Sequence, residues 1–237
     1  MPTSVMPSPE ATPSASADSD RRRCEAAIAE SFGRAQADNS PYRHWILDDL
    51  LPTQVAQALI DLPFEAPALH GQSGSRELHN NTRRYLDAEA IETYPVCASV
   101  AAAFQSDETV ALIEQATGAR LDGCCLRLEY AQDTEGFWLQ PHTDLGVKKF
   151  TLLYYLGPAD HEEWGTDIYE NAETWSHRAP FVPGGALVFV PGDNTWHGFE
   201  PRALNGVRKS LIVNYVTDEW RAREQLAYPT TPVHGRS

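Results

Sequence analysis

The chain has 237 residues, 42% hydrophobic and 22% charged, enough for one buried globular core with a helical appendage. Its 19 Lys and Arg face 33 Asp and Glu, and the formal net charge of −14 argues against a general nucleic-acid binder and against attachment to an anionic membrane surface. No apolar run approaches the length of a membrane span, and four cysteines without CxxC spacing read as reduced thiols of a cytoplasmic protein.

Residues 1–20 are Pro, Ser, Ala and Thr with no apolar stretch, so a disordered tail is expected there rather than a signal peptide. Residues 21–237 read as a single domain, with helical support over 21–119 and a β core over 120–217. In chain order, a helix is expected over 22–37, a strand over 42–47, and a helix from Pro52 to residue 62 with proline in its first turn. A polar loop, 63–84, carries His70, His79, Asn80, Asn81, Arg83 and Arg84; loops of this length inside a domain are usually functional or disordered. Helices follow at 91–104 and 107–117.

From Arg120 the texture changes to short strand-like runs between turn residues: 121–131, 136–142, 149–156, 166–170, 179–182, 185–190, 195–199 and 208–217, with a closing helix at 220–226. Helices first and many short strands second predict a mainly β protein with N-terminal helices, a sandwich or jelly roll supported by flanking α-helices.

The chemistry concentrates in Gln140-Pro141-His142-Thr143-Asp144. His142 and Asp144 are two apart, so on an extended strand both side chains leave one face. A second histidine is offered by His197, which follows a Pro183-Gly184-Gly185 turn, a buried strand and a Pro191-Gly192 turn, and precedes Gly198. Two imidazoles and one carboxylate leave adjacent positions open on a metal, the arrangement of non-haem Fe(II) oxygenases. Arg208 and Ser210 then share a face at the start of an apolar strand. A buried guanidinium needs an anion, either an internal Asp or Glu or, beside a metal triad, a dicarboxylate cosubstrate held by its planar fork with the Ser hydroxyl helping.

With these four elements in order, the stretch from Cys124 to Val216 resembles the 2-oxoglutarate/Fe(II)-dependent oxygenases, specifically the prolyl-hydroxylase-like branch with its HxD…H…RxS pattern. The resemblance implies a double-stranded β-helix, with Fe(II) held by His142, Asp144 and His197. It also implies 2-oxoglutarate chelating the metal, its distal carboxylate on Arg208 and Ser210, and Tyr130 and Tyr155 lining the cosubstrate site. The implied reaction is oxidative decarboxylation of 2-oxoglutarate by O2 to succinate and CO2, coupled to hydroxylation of an unactivated C–H bond. Because Asp144 is present, the resemblance favours hydroxylation, leaves desaturation or cyclisation open, and argues against halogenation.

Asn81, Arg83 and Arg84 on the polar loop, Arg127 and Glu129 on the strand before HxD, and Asn214 on the Arg208 face are the candidate substrate contacts. The expected substrate is a small polar metabolite such as a free amino acid or derivative, with no nucleic-acid or membrane partner and a monomer or homodimer as the assembly. The alternatives are a prolyl-type protein hydroxylase, a cupin-like metalloprotein that does not use 2-oxoglutarate, and a non-catalytic β-sandwich binding module.

Overall fold

A computed structural model describes residues 15–69, 74 and 83–235. The first fourteen residues of the expected tail, most of the polar loop, and with it Asn81, lie outside the described residues.

Helix α1 (Ala15–Arg34) begins earlier than the composition suggested, inside the expected tail. Ion pairs Asp18–Arg21, Asp18–Arg22 and Asp20–Arg23 run along its exposed side, each worth a few tenths of a kcal/mol. Cys24, Ile28 and Phe32, buried at helical spacing, hold the body of the helix in the core, and Ser99 Oγ donates to the Ala17 carbonyl in its early part. Helix α2 (Thr53–Ile60) follows Pro52. The helix expected over 91–104 is two helices, α3 (Ala88–Thr93) and α4 (Pro95–Gln105). Pro95 holds Tyr94 extended (φ −118, ψ 113), which ends α3 and opens α4 with proline in its first turn. Ser106 caps α5 (Asp107–Thr117), and Gly118 ends it in the left-handed region (φ 78), where a side chain would be strained.

The strands are β1 (Ala37–Asp38), β2 (His44–Leu47), β3 (Arg84–Tyr85), β4 (Cys125–Asp133), β5 (Leu139–His142), β6 (Lys148–Gly157), β7 (Asp167–Tyr169), β8 (Trp175–Arg178), β9 (Ala186–Phe189), β10 (His197–Phe199) and β11 (Arg208–Val216). They form a seven-stranded sheet in the order β1-β2-β9-β6-β11-β4-β3 and a four-stranded sheet in the order β5-β10-β7-β8, all paired antiparallel. The short strands β1 and β3 carry no sequence pattern of their own. The run expected at 179–182 is not a strand; pairing there stops at Arg178, and Pro180 has no N–H to continue it. The expected closing helix is a single 3-10 turn, Arg223–Gln225.

Period-2 alternation divides the large sheet into two faces. Leu126, Leu128, Tyr130, Leu152, Tyr154, Leu211, Val213 and Tyr215 pack with the helices in the larger core. Leu153, Tyr155, Leu187 and Phe189 point the other way and meet Ile168 and Phe199 of the small sheet, with Trp164 and Phe181, in a second core between the sheets. The polar residues Arg127, Glu129, Asp133, Thr151, Arg208, Ser210 and Asn214 lie on that second face by the same alternation. No single helix among the described residues is long and apolar enough to cross a membrane.

Candidate metal centre and active site

The centre forms where β5 and β10 pair. His197 lies directly across from His142 in the antiparallel register, and their ring centroids are 4.3 Å apart. Asp144 follows two residues on, and one donor atom from each of the three falls within 4.8 Å of the others. Both imidazoles are oriented by backbone: His142 Nδ1 lies 2.9 Å from the Gln140 carbonyl and His197 Nδ1 2.9 Å from the Thr195 carbonyl. A carbonyl only accepts, so both Nδ1 atoms carry the proton and both Nε2 lone pairs are left for a metal. Burial, then the neighbouring His142, pushes His197 down to about 3, which keeps its ring neutral and able to act as a ligand. This donor set suits a divalent first-row metal with positions left open, Fe(II) in particular.

Gly198 is what allows the approach. A Cβ there would sit 2.8 Å from the Leu139 carbonyl oxygen and 3.2 Å from the Gln140 backbone, so β10 could not lie against β5 as it does. Gly198→Ala is expected to lower Fe(II) or Mn(II) affinity at least about tenfold and to cost about 1–3 kcal/mol of stability through overpacking. Metal titration and thermal unfolding read the two effects separately, and unchanged metal affinity would count against this role.

Asp144 is held by two donors, Lys148 Nζ on Oδ1 and Thr151 Oγ1 on Oδ2, each at 2.7 Å. Lys148 is buried, one turn on from the carboxylate it pairs with. An ammonium this close opposes a bound dication by a few kcal/mol at an effective dielectric of about 20, so Lys148→Met is expected to tighten divalent-metal binding about tenfold or more. Competition with a chromophoric chelator measures this; weaker binding would mean that orienting the carboxylate outweighs the repulsion.

A cavity of about 70 Å³ runs from the triad to Arg208, with Thr151, Leu153, Thr166 and Ile212 on its walls. Arg208 is buried and ringed by Phe199, Phe181 and Tyr155, its guanidinium carbon 4.9, 5.5 and 5.7 Å from their centroids. It donates from Nε to the Trp164 carbonyl (2.7 Å), from Nη1 to Asp133 Oδ2 (2.6 Å) and from Nη2 to Thr166 Oγ1 (3.4 Å). Ser210 is fully buried, and its Oγ has no hydrogen-bond partner among the described residues. A buried hydroxyl without a partner is costly, and one on the same strand face as a buried arginine fits an incoming anion.

Arg208 is also the end of a chain of alternating charges. Asp133 Oδ1 accepts from Arg83 (2.6 Å), Arg83 Nε lies 3.3 Å from Glu129, and Glu129 pairs with Arg127 (2.8 Å). Burial acts against the charge on Arg83, but Asp133 and Glu129 outweigh it and raise its pKa. Arg127 lies between the Tyr85 and Trp220 rings and donates to Gln225, Asn214 and the Tyr85 hydroxyl.

Solved structures resemble the fold that carries this centre. A prolyl 4-hydroxylase from Phytophthora capsici matches with a TM-score of 0.57 at 17% identity, over 86% of this chain and 67% of its own. The chain has the prolyl 4-hydroxylase fold. A Pseudomonas putida prolyl-4-hydroxylase matches at TM-score 0.53 and 17% identity, over 81% of this chain and 94% of that one. A Trichoplax adhaerens prolyl hydroxylase, solved with a hypoxia inducible factor oxygen degradation domain peptide fragment, matches at TM-score 0.51 and 13% identity, over 88% and 96%. No family model and no curated protein matches the sequence.

Within this prolyl 4-hydroxylase fold, the expected residues separate into two groups. His142, Asp144, His197 and Arg208 line one cavity, with Tyr155 beside Arg208 and its hydroxyl on Thr166 Oγ1 (3.0 Å). Tyr130 does not join them: it points into the helical core, touches Phe64 edge-on and donates to the Leu59 carbonyl, because its strand position has the opposite parity to Glu129 and Asp133. Of the substrate candidates, Arg83 and Glu129 line the cavity but are engaged in the charge chain. Arg84 is exposed on β3, and its neighbour Arg83 takes the inward position. Arg127 and Asn214 are buried beside the cavity, and the Asn214 amide bonds to Phe150 O and Thr151 Oγ1. Sequence reasoning missed Asp133, Lys148, Thr151 and Thr166. Only Lys148 had a usable local signal, its place four residues after Asp144.

Proposed function

We propose that this protein is an Fe(II)- and 2-oxoglutarate-dependent dioxygenase that hydroxylates a C–H bond, built on a double-stranded β-helix. The observation that carries the reading is the convergence of two Nε2 lone pairs and one carboxylate on a cavity whose far end is lined by a buried arginine, with the partnerless Ser210 hydroxyl on the same strand face as that arginine. Bound iron and 2-oxoglutarate would supply the O2 chemistry, oxidative decarboxylation to succinate and CO2 coupled to insertion of one oxygen atom. The chain's own part is positional. His142, Asp144 and His197 would hold the metal, Lys148 and Thr151 fix the Asp144 carboxylate plane, and Arg208, Ser210 and Thr166 would take the distal carboxylate. The aromatic ring around Arg208 keeps water from that end and strengthens the charge contact.

Two substrate classes fit. A free amino acid or similar polar metabolite is the first. A residue presented on a peptide is the second, and one observation favours it: Arg83 and Arg127, the cations that a free α-carboxylate would seek, are engaged with Glu129 and Asp133. The Trichoplax relative's peptide complex points the same way. A cytoplasmic location belongs to the same reading, since Cys24, Cys97, Cys124 and Cys125 are all buried free thiols.

Anaerobic titration with Fe(II) and 2-oxoglutarate tests the cofactor chemistry through the weak visible charge-transfer band of the chelate. Succinate release with free amino acids against short peptides then separates the substrate classes. A folded, metal-loaded protein that gives no band would overturn the oxygenase reading in favour of a metalloprotein that does not use 2-oxoglutarate.

A further inference from the structure

We propose that Asp133 is a built-in carboxylate competitor at the cosubstrate seat, a specificity-determining residue that sets how strongly Arg208 holds an incoming dicarboxylate. The inference rests on the reading of Arg208 as the partner of the 2-oxoglutarate distal carboxylate.

A guanidinium offers a carboxylate two bidentate edges, Nε/Nη2 and Nη1/Nη2. In this protein each edge already has a donor in use, Nε on the Trp164 carbonyl at 2.7 Å and Nη1 on Asp133 Oδ2 at 2.6 Å. Only Nη2, in a long 3.4 Å contact with Thr166 Oγ1, is weakly engaged. An arriving carboxylate therefore meets one strong donor from Arg208, supplemented by Ser210 Oγ, unless Asp133 gives way. The local charge says the same. Arg127, Glu129, Arg83, Asp133 and Arg208 alternate in sign and sum to a single positive charge. The Arg127 end is saturated by side-chain acceptors and two aromatic faces, so the surplus is felt at Arg208.

Arg83 sets the balance. It draws on Asp133 from the other side, Nη1 to Oδ1 at 2.6 Å, and so weakens the hold of Asp133 on Arg208. The two residues should then act on cosubstrate binding with opposite signs. Removing the Asp133 charge frees an edge of Arg208 and makes the seat more positive. Removing the Arg83 charge leaves Asp133 wholly to Arg208 and makes the seat more negative. A purely structural role for the pair predicts the same direction for both, because either variant breaks the same ion pair.

The test is calorimetric titration of 2-oxoglutarate, and of a 2-oxo acid of equal length with an uncharged tail, into Mn(II)-loaded full-length protein. Wild type, Asp133→Asn, Arg83→Gln and Arg208→Ala are compared, and circular dichroism confirms folding. Asp133→Asn is expected to bind 2-oxoglutarate about tenfold more tightly and to discriminate more sharply against the uncharged tail, while Arg83→Gln binds it several-fold more weakly. If one of the two does not fold, the sign of the other decides. Weaker or unchanged binding by Asp133→Asn, or tighter binding by Arg83→Gln, overturns the competitor role. Should Arg208→Ala bind as well as wild type, or wild type not bind at all, the reading of the seat fails and takes this inference with it.

Discussion

A His197→Ala variant is expected to fold and to lose the metal centre. Its Fe(II) affinity should fall more than about 100-fold, since even outer partners of metal ligands are worth 10–100-fold. The anaerobic band with 2-oxoglutarate should vanish at Fe(II) concentrations that saturate wild type. Folding should survive because His197 contributes little that the fold needs. Its contacts are the His142 ring at 4.3 Å, the Phe189 ring at 4.8 Å and one backbone carbonyl, and removing a buried polar ring is cheaper than removing a core aliphatic of equal size. The variant thus separates chemistry from stability, with near-unchanged thermal unfolding in the absence of metal beside abolished metal binding. A His197→Ala protein that still gave the band would show that the metal lies elsewhere.

His142, Asp144 and His197 were readable in the sequence because each depends on local rules. A spacing of two on a strand fixes a common face, and two Pro-Gly turns mark the hairpin that returns His197 to β5. Arg208 and Ser210 were readable for the same reason, as alternate residues of one strand. The same parity rule held a warning about Tyr130. Arg127 and Glu129 were placed on one face, so Tyr130, the next residue, could not share it, and its hydroxyl is found on the Leu59 carbonyl in the helical core.

What escaped reading depends on register across the sheet. Asp133 meets Arg208 because β4 and β11 pair with those two residues opposite one another, and no pattern within either strand announces that alignment. Arg83 reaches the cavity because the two-residue strand β3 pairs with β4 at Glu129 and Tyr130, which the polar loop gives no sign of. Three of the charged residues expected to meet substrate, Arg83, Arg127 and Glu129, therefore pair within one chain of charges, while Arg84 lies exposed on β3. Their type signalled a functional wall, while their partners were set by tertiary pairing. Among the helices the misplaced boundaries have nearer causes. Pro95 is a visible breaker within 91–104, and the early part of α1 is tied down by a contact distant in sequence, Ser99 Oγ to the Ala17 carbonyl, which composition does not report.

Asp167→Ala is expected to be the most damaging single change outside the centre, at about 3–5 kcal/mol, the usual cost of removing one partner from a buried ion pair. Asp167 is wholly buried and accepts from four groups: Arg178 Nε (2.8 Å) and Trp175 Nε1 (3.2 Å) on Oδ1, and the Glu200 amide (2.8 Å) and Arg202 Nη2 on Oδ2. It lies across from Gly198, and its neighbour Ile168 lies across from His197, so the strand bearing the second histidine is clamped between β5 and a β7 that Asp167 anchors. The expected fall in melting temperature is about 6–20 °C for a chain of this size. Metal affinity should fall with it, because His197 loses its fixed position. Asp167→Asn keeps the shape but not the charge, and should cost nearly as much by leaving Arg202 beside the Phe199 ring without its anion. Arg178 is partly exposed and able to turn to water, so Arg178→Ala should cost only about 1 kcal/mol. Equal effects of Arg178→Ala and Asp167→Asn would place the stabilisation in that one exposed pair and remove the anchoring role assigned to the buried carboxylate.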